Sequence, residues 1–222
     1  MKNISIFCLV CFCVSCSSSK NEKNSIYQQG RRWDYKVIFY NSDKTIKDTC
    51  SLSMEVKKGN FISFLSGQKN LTYSYRHCCN KNMTESTGVE EDSTHVFIHP
   101  PRLDCFAFTE MTPMPAISLP IVIGSTKELT LKIVKSTFSE LSGKTISQYQ
   151  KVVGKENFKY KNTNLSTYAI EGENTSFVNE FGKYFSTFLF NEALGFVFLK
   201  YQNPNGEFVT MTLEDTNFDN PK

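Results

Sequence analysis

Lys183-Tyr-Phe-Ser-Thr-Phe-Leu-Phe-Asn-Glu-Ala-Leu-Gly-Phe-Val-Phe-Leu-Lys-Tyr-Gln-Asn-Pro-Asn-Gly-Glu-Phe-Val-Thr-Met-Thr-Leu213 is the stretch whose reading decides the fold. Three runs rich in aromatic and β-branched residues are separated by Asn191 to Gly195 and by Asn203-Pro204-Asn205-Gly206, the composition of successive antiparallel strands joined by tight turns. Pro204 presets φ for the first corner of a turn and Gly206 can take the left-handed position after it, which predicts a hairpin with Tyr201 and Phe208 close across the ladder.

The upstream chain repeats this grammar. Trp33, Tyr35, Val37 and Phe39 alternate with other residues at the period of two that buries one face of a strand, and Leu52, Met54 and Val56 do the same, with Cys50 in their parity. Phe61 to Leu65 and Leu71 to Tyr75 follow, completing a predicted four-strand meander. Cys78 to Asp92 is polar and reads as a long loop. His95 to His99 is strand-like until Pro100-Pro101 removes two ladder donors. Phe106 to Glu110 follows, with Phe106, Phe108 and Glu110 in one parity. Pro113, Pro115 and Pro120 predict an extended segment that runs along an edge or crosses the end of a sheet. Ile121 to Ile123, Leu129 to Val134, Thr145 to Val153 and Leu165 to Glu171 resume strand character, and Ser136 to Gly143 is the one place where a helical turn is expected. The sum is an all-β chain of roughly eleven to thirteen strands. Meander connectivity, with 19 Phe and 10 Tyr, predicts a curved antiparallel sheet that forms a barrel or half-barrel; a two-sheet β-sandwich is the alternative.

With 222 residues, 40% of them hydrophobic, the chain can bury a real core, and one domain is expected. Met1-Lys2-Asn3 and the mainly apolar Ile4 to Val14 have the form of a secretory leader, too short to span a bilayer. Cys13-Val14-Ser15-Cys16 resembles the bacterial lipobox, which implies acylation of Cys16 and a permanent hold on a membrane. Ser17 to Gly30 has little apolar surface and reads as a tether. The division expected is residues 1–15 leader, 16–30 lipidated tether, 31–216 the β domain and 217–222 a tail. Past the leader, Lys and Arg number 24 against 22 Asp and Glu. That balance, without basic runs interleaved with aromatics, speaks against a nucleic-acid partner.

His99-Pro100-Pro101-Arg102, Pro113-Met-Pro-Ala-Ile-Ser-Leu-Pro120 with Gly124, and Phe190-Asn191-Glu192 through Gly195-Phe196-Val197 resemble a set of uncharacterised lipoproteins of Bacteroidetes-type bacteria. The resemblance implies an envelope address and no chemistry. The layout is also similar to the half-barrels of periplasmic lipoprotein carriers and lipocalin-like proteins, which implies a hydrophobic ligand. Ser17 lacks the Asp that resembles an inner-membrane retention signal, and the tether lacks an acidic pair of the kind associated with surface display. Both point to an outer-membrane anchor facing the periplasm.

Catalytic signatures are weak. His77-Cys78-Cys79, and His95 and His99 with Cys105, lack the second close ligand pair that a zinc cage needs, and His95 and His99 would sit about 13 Å apart on a strand, so no metal or other cofactor is expected. Ser17-Ser-Ser-Lys20 and Ser66-Gly-Gln-Lys69 match Ser-x-x-Lys but lack the helix that aims it. Glu110 has no carboxylate placed opposite it. Cys50, Cys78, Cys79 and Cys105 lie outside a reducing compartment and are disulfide candidates; a bond between the adjacent Cys78 and Cys79 is disfavoured, so each would seek Cys50 or Cys105. The functional expectation is a non-enzymatic, membrane-anchored protein that holds a lipid or other hydrophobic ligand among Trp33, Tyr35, Tyr73, Phe188, Phe190, Phe196 and Phe198. The alternative is an interaction subunit of an envelope complex, and a third reading is a hydrolase with an unrecognised site.

Overall fold

In the computed structural model the described residues are 25–59, 68–133 and 142–218. The expected leader, Cys16 with most of the tether, the strand at Phe61 to Leu65 and most of the helical turn at Ser136 to Gly143 lie outside them. Strand β1 (Arg32–Tyr40) buries Trp33, Tyr35, Val37 and Phe39, the alternation its sequence spells. It lies in the middle of one sheet: β2 (Ile46–Lys57), β3 (Lys69–Cys78), β4 (Lys81–Glu91), β5 (His95–Ile98) and β6 (Ala116–Ser118) extend it on one side. On the other side lie β12 (Phe208–Thr216), β11 (Gly195–Gln202), β10 (Phe185–Asn191), β9 (Thr163–Asn174), β8 (Thr145–Tyr160) and β7 (Thr126–Lys132). All the pairs are antiparallel, and the twelve strands form one nearly closed, barrel-shaped sheet; the sandwich alternative is excluded.

Two poles follow from the alternating strand directions. The chain emerges at Ser25 beside the start of β1; this tether pole also carries the β4–β5, β6–β7, β8–β9 and β10–β11 turns. The far pole carries the β1–β2 and β11–β12 turns and residues 99–115. In the β11–β12 turn Gly206 sits at φ 84°, as its turn requires, but the ladder pairs Tyr201 with Val209 and Gln202 with Phe208, one residue off the expected register.

The edges β6 and β7 do not pair. Phe97 and Ala116 pair across β5 and β6 on the face opposite Val96 and Ile117, which belong to the main core. Leu129 and Leu131 of β7 pack on Phe97, Met114 and Ala116, so the two ends of the sheet overlap. Side chains stitch the overlap where a ladder would have done so. The buried Gln148 carboxamide accepts from Met114 N (3.0 Å) and donates to Thr112 O (2.9 Å), and Gln150 donates to Met114 O. The expected crossing by the proline-rich segment is thus a strap held by two buried glutamines, and Ala116–Ser118 is the edge strand.

Several expectations are corrected. Cys78 to Asp92 is mostly strand β4, not a loop: its inward Glu85 is polar, and only Gly88 and Val89 are fully buried, so the hydrophobic alternation that marks a strand is missing. Phe106 to Glu110 lies in a 3₁₀ helix (Asp104–Glu110) that drives Phe106 into the interior, with ring centroids 5.0 Å from Phe39 and 5.2 Å from Tyr75. A short helix α1 (Val178–Phe181) stands where none was expected. Ile121 to Ile123 belongs to the turn between β6 and β7, and Leu129 and its neighbours belong to β7. The tether reading fails from Ile26 onward, because Ile26 and Tyr27 are buried in the main core; Phe218, assigned to the tail, packs its ring 5.1 Å from Trp33.

Candidate functional site

Of the seven aromatics expected to line a ligand cavity, six are buried at the centre, and of these only Phe190 also borders one of the hollows described below. Trp33, Tyr35, Tyr73, Phe188, Phe190 and Phe196 are each at most 1% exposed, and Phe196 packs edge-on to both Phe188 (6.0 Å) and Phe190 (5.1 Å). Their polar atoms are committed as well. Trp33 Nε1 donates to Leu194 O, Tyr35 Oη to Phe196 O and Tyr73 Oη to His99 O, each at 2.7 Å. Burial pushes the Tyr35, Tyr73 and Tyr201 hydroxyls far above their ordinary pKa, so they stay protonated. Phe198 departs from the set. A bulge in the β10–β11 ladder pairs Phe190 with Phe196 but Leu189 with Phe198, which turns Phe198 to the opposite face, half-buried. A twelve-stranded interior is wide, but Phe106 from the far pole and Tyr27 from the tether pole enter it.

The four cysteines form Cys50–Cys78 and Cys79–Cys105, with Cα separations of 5.0 and 6.3 Å. The second bridge ties the 3₁₀ helix to the β3–β4 turn. With all four sulfurs in disulfides, none of these cysteines offers a thiolate to a metal. His95 faces the carboxylates of Glu90 (3.3 Å) and Asp92 (3.2 Å).

At the tether pole the chain is clasped. The Glu91 carboxylate accepts from Ser25 Oγ, Ile26 N (2.5 Å) and Tyr27 N (2.9 Å), while Lys69 Nζ donates to Ser25 Oγ (2.6 Å) and Tyr27 O (2.9 Å). Arg31 adds bonds to the Ser25 and Ile26 carbonyls. Tyr27 then slides under Gly195, where a Cβ would stand 2.5 Å from Tyr27 Oη, so only glycine lets the ring pass. The sequence shows no motif for this clasp. Its one legible trace is Ile26-Tyr27, two apolar residues inside a polar run.

Beside the clasp opens a hollow of about 490 Å³. Ile26, Val96, Leu119 and Phe190 form its apolar wall, and Asp92, Ser93 and Glu192 its polar rim. Hydrogen bonds from the Thr94 hydroxyl and backbone hold the Asp92 carboxyl down at about 2, so this rim carries negative charge. Of the expected ligand residues, Phe190 alone lines this space. Besides an open groove of about 410 Å³ along the β3–β4 hairpin, two smaller hollows among the described residues lie at the far pole. One, about 310 Å³, has Met114, Leu131 and Ile133 as its floor and His99, Arg102, Glu110 and Lys132 around it. The other, about 290 Å³, lies between Phe39, Phe108, Phe208 and the Cys79–Cys105 bridge. Burial, with Arg102 nearby, lowers the His99 pKa to about 4, which leaves a neutral imidazole at physiological pH.

No protein-family model and no curated protein matches the chain. Among solved structures it is similar to a protein described as exported, with a YmcC-like fold, from Bacteroides fragilis, at 12% identity over 86% of this chain and 97% of that one, with a TM-score of 0.43. It is similar to a protein described as a lipoprotein from Parabacteroides distasonis, at 9% identity over 86% and 96% of the two chains, with a TM-score of 0.48. It is also similar to the hypothetical lipoprotein YmcC from Escherichia coli, at 10% identity over 86% and 90%, with a TM-score of 0.38. The likeness is one of layout and carries no chemistry.

Proposed function

We propose that this chain is a non-enzymatic envelope protein, anchored through Cys16 to the outer membrane and facing the periplasm, which holds an acyl chain in the hollow at its tether pole. The observation that carries the reading is that hollow: about 490 Å³ with an apolar wall of Ile26, Val96, Leu119 and Phe190, opening where the chain leaves for its anchor. This volume lies in the range of small-ligand sites. The solid aromatic centre argues against a ligand deeper inside. The acidic rim disfavours an anionic head, so the ligand class is a neutral or zwitterionic monoacyl lipid or the end of a phospholipid chain. Mass spectrometry of the protein purified from its native envelope tests both halves of the reading. Acylated Cys16 and a co-purified acyl species are expected, and an unmodified, lipid-free chain would leave the interaction-subunit reading in its place.

A further inference from the structure

The turn between β6 and β7 presents Val122 and Ile123 to solvent, 58% and 53% exposed. Turn corners draw Gly, Pro, Asn, Asp and Ser, because these residues tolerate the backbone geometry and keep it solvated. Two bulky β-branched residues here leave more than half of their surface in water. The turn is nonetheless held in place. Ser125 N (3.1 Å) and Ser125 Oγ (2.6 Å) both donate to Val122 O, Gly124 N donates to Val152 O at 2.7 Å, and Val152 N donates to Ser125 O at 3.0 Å. On its near side Leu119 and Ile121 pack against the core. Val153, 40% exposed, stands at a β8 bulge beside it, and the exposed Lys151 pairs with Thr126 at the foot of the turn.

Its location gives this apolar tip a partner. Leu119, at the root of the turn, lines the same hollow as Ser25, where the chain departs towards residue 16. The eight residues between Cys16 and Ser25 span at most about 30 Å. We propose that Val122 and Ile123 are a membrane prong that enters the interfacial layer of a phospholipid bilayer, with Lys151 at the headgroups, so that the tether pole and its hollow face the lipid. The orientation rests on the Cys16 anchor reading; the apolar tip itself does not. Interfacial binding of this kind scales with buried apolar area plus attraction to anionic lipid.

The test uses the chain from Ser17 onward, which contains every described element and lacks both leader and anchor, with vesicles of phosphatidylethanolamine and phosphatidylglycerol. Cosedimentation should show weak partitioning that falls at least about tenfold in V122D/I123D, with the melting temperature unchanged. Ile123→Trp should be quenched by phospholipid brominated in its acyl chains. Equal partitioning of parent and variant, no partitioning of the parent, or no quenching at Ile123→Trp would overturn the prong. Uptake of a free acyl ligand by V122D/I123D, measured separately, reports on the hollow alone, so the two readings fail independently.

Discussion

His99 is the residue at which environment and protonation are most plainly coupled. Its folded pKa, about 4, lies below the ordinary value of 6.5 because burial and Arg102 disfavour the imidazolium. The folded state therefore resists a proton that the unfolded chain accepts. Stability from this group is fully present above pH 6.5, falls as the pH drops through that value, and is lost by pH 4, a change of about 3 kcal/mol. Denaturant titrations of the wild type and His99→Leu across pH 7 to 4 should converge in slope above 6.5 and diverge below it. Parallel curves would mean that the imidazole is solvated. The sequence placed His99 at the end of a strand, but its neutrality depends on burial and on Arg102, neither of which strand parity reveals. The same gap between parity and contact explains Phe198: one bulge reverses its face, and nothing local in the sequence announces a bulge.

The elements that the sequence showed well are those with one apolar and one polar face, β1 and β2 above all. Strand β4 was illegible because its inward Glu85 is a carboxylate whose partners come from elsewhere in the chain: Tyr75 Oη donates to it at 2.6 Å, Arg102 N at 2.9 Å, and the Arg102 guanidinium lies 3.4 Å away. The overlap of the sheet edges was hidden for a related reason, since Gln148 reads as an outward polar residue until the strap beneath it is known. Gln148→Leu keeps the size and leaves Met114 N–H and Thr112 C=O buried without these partners. The expected cost is about 2–4 kcal/mol, with the urea m-value unchanged and amide exchange at Met114 accelerated. A loss below about 0.5 kcal/mol would show that the strap finds other partners and that the glutamines do not close the barrel.

At the scale of the whole molecule, the all-β class and the meander could be read from turn composition and alternation, and these in turn fix which loops share a pole. Interior volume could not be read, because it depends on whether segments outside the sheet, here Tyr27 and Phe106, fold into it. The ligand site proposed above accordingly lies at the tether pole and not at the centre, with Phe190 the residue common to both readings. This relocation has a native reporter. Trp33, the single tryptophan, lies 5.0 Å from the Tyr27 ring, next to Ile26 on the wall of the hollow, and at the opposite end of β1 from Phe39 and Tyr40. Titration of the delipidated protein with a monoacylglycerol brominated in mid-chain should quench Trp33 saturably, with one ligand per chain, and Leu119→Glu should abolish the effect. Unquenched Trp33 at ligand concentrations where binding is measured independently, or the same quenching in Leu119→Glu, would contradict an acyl site at the tether pole.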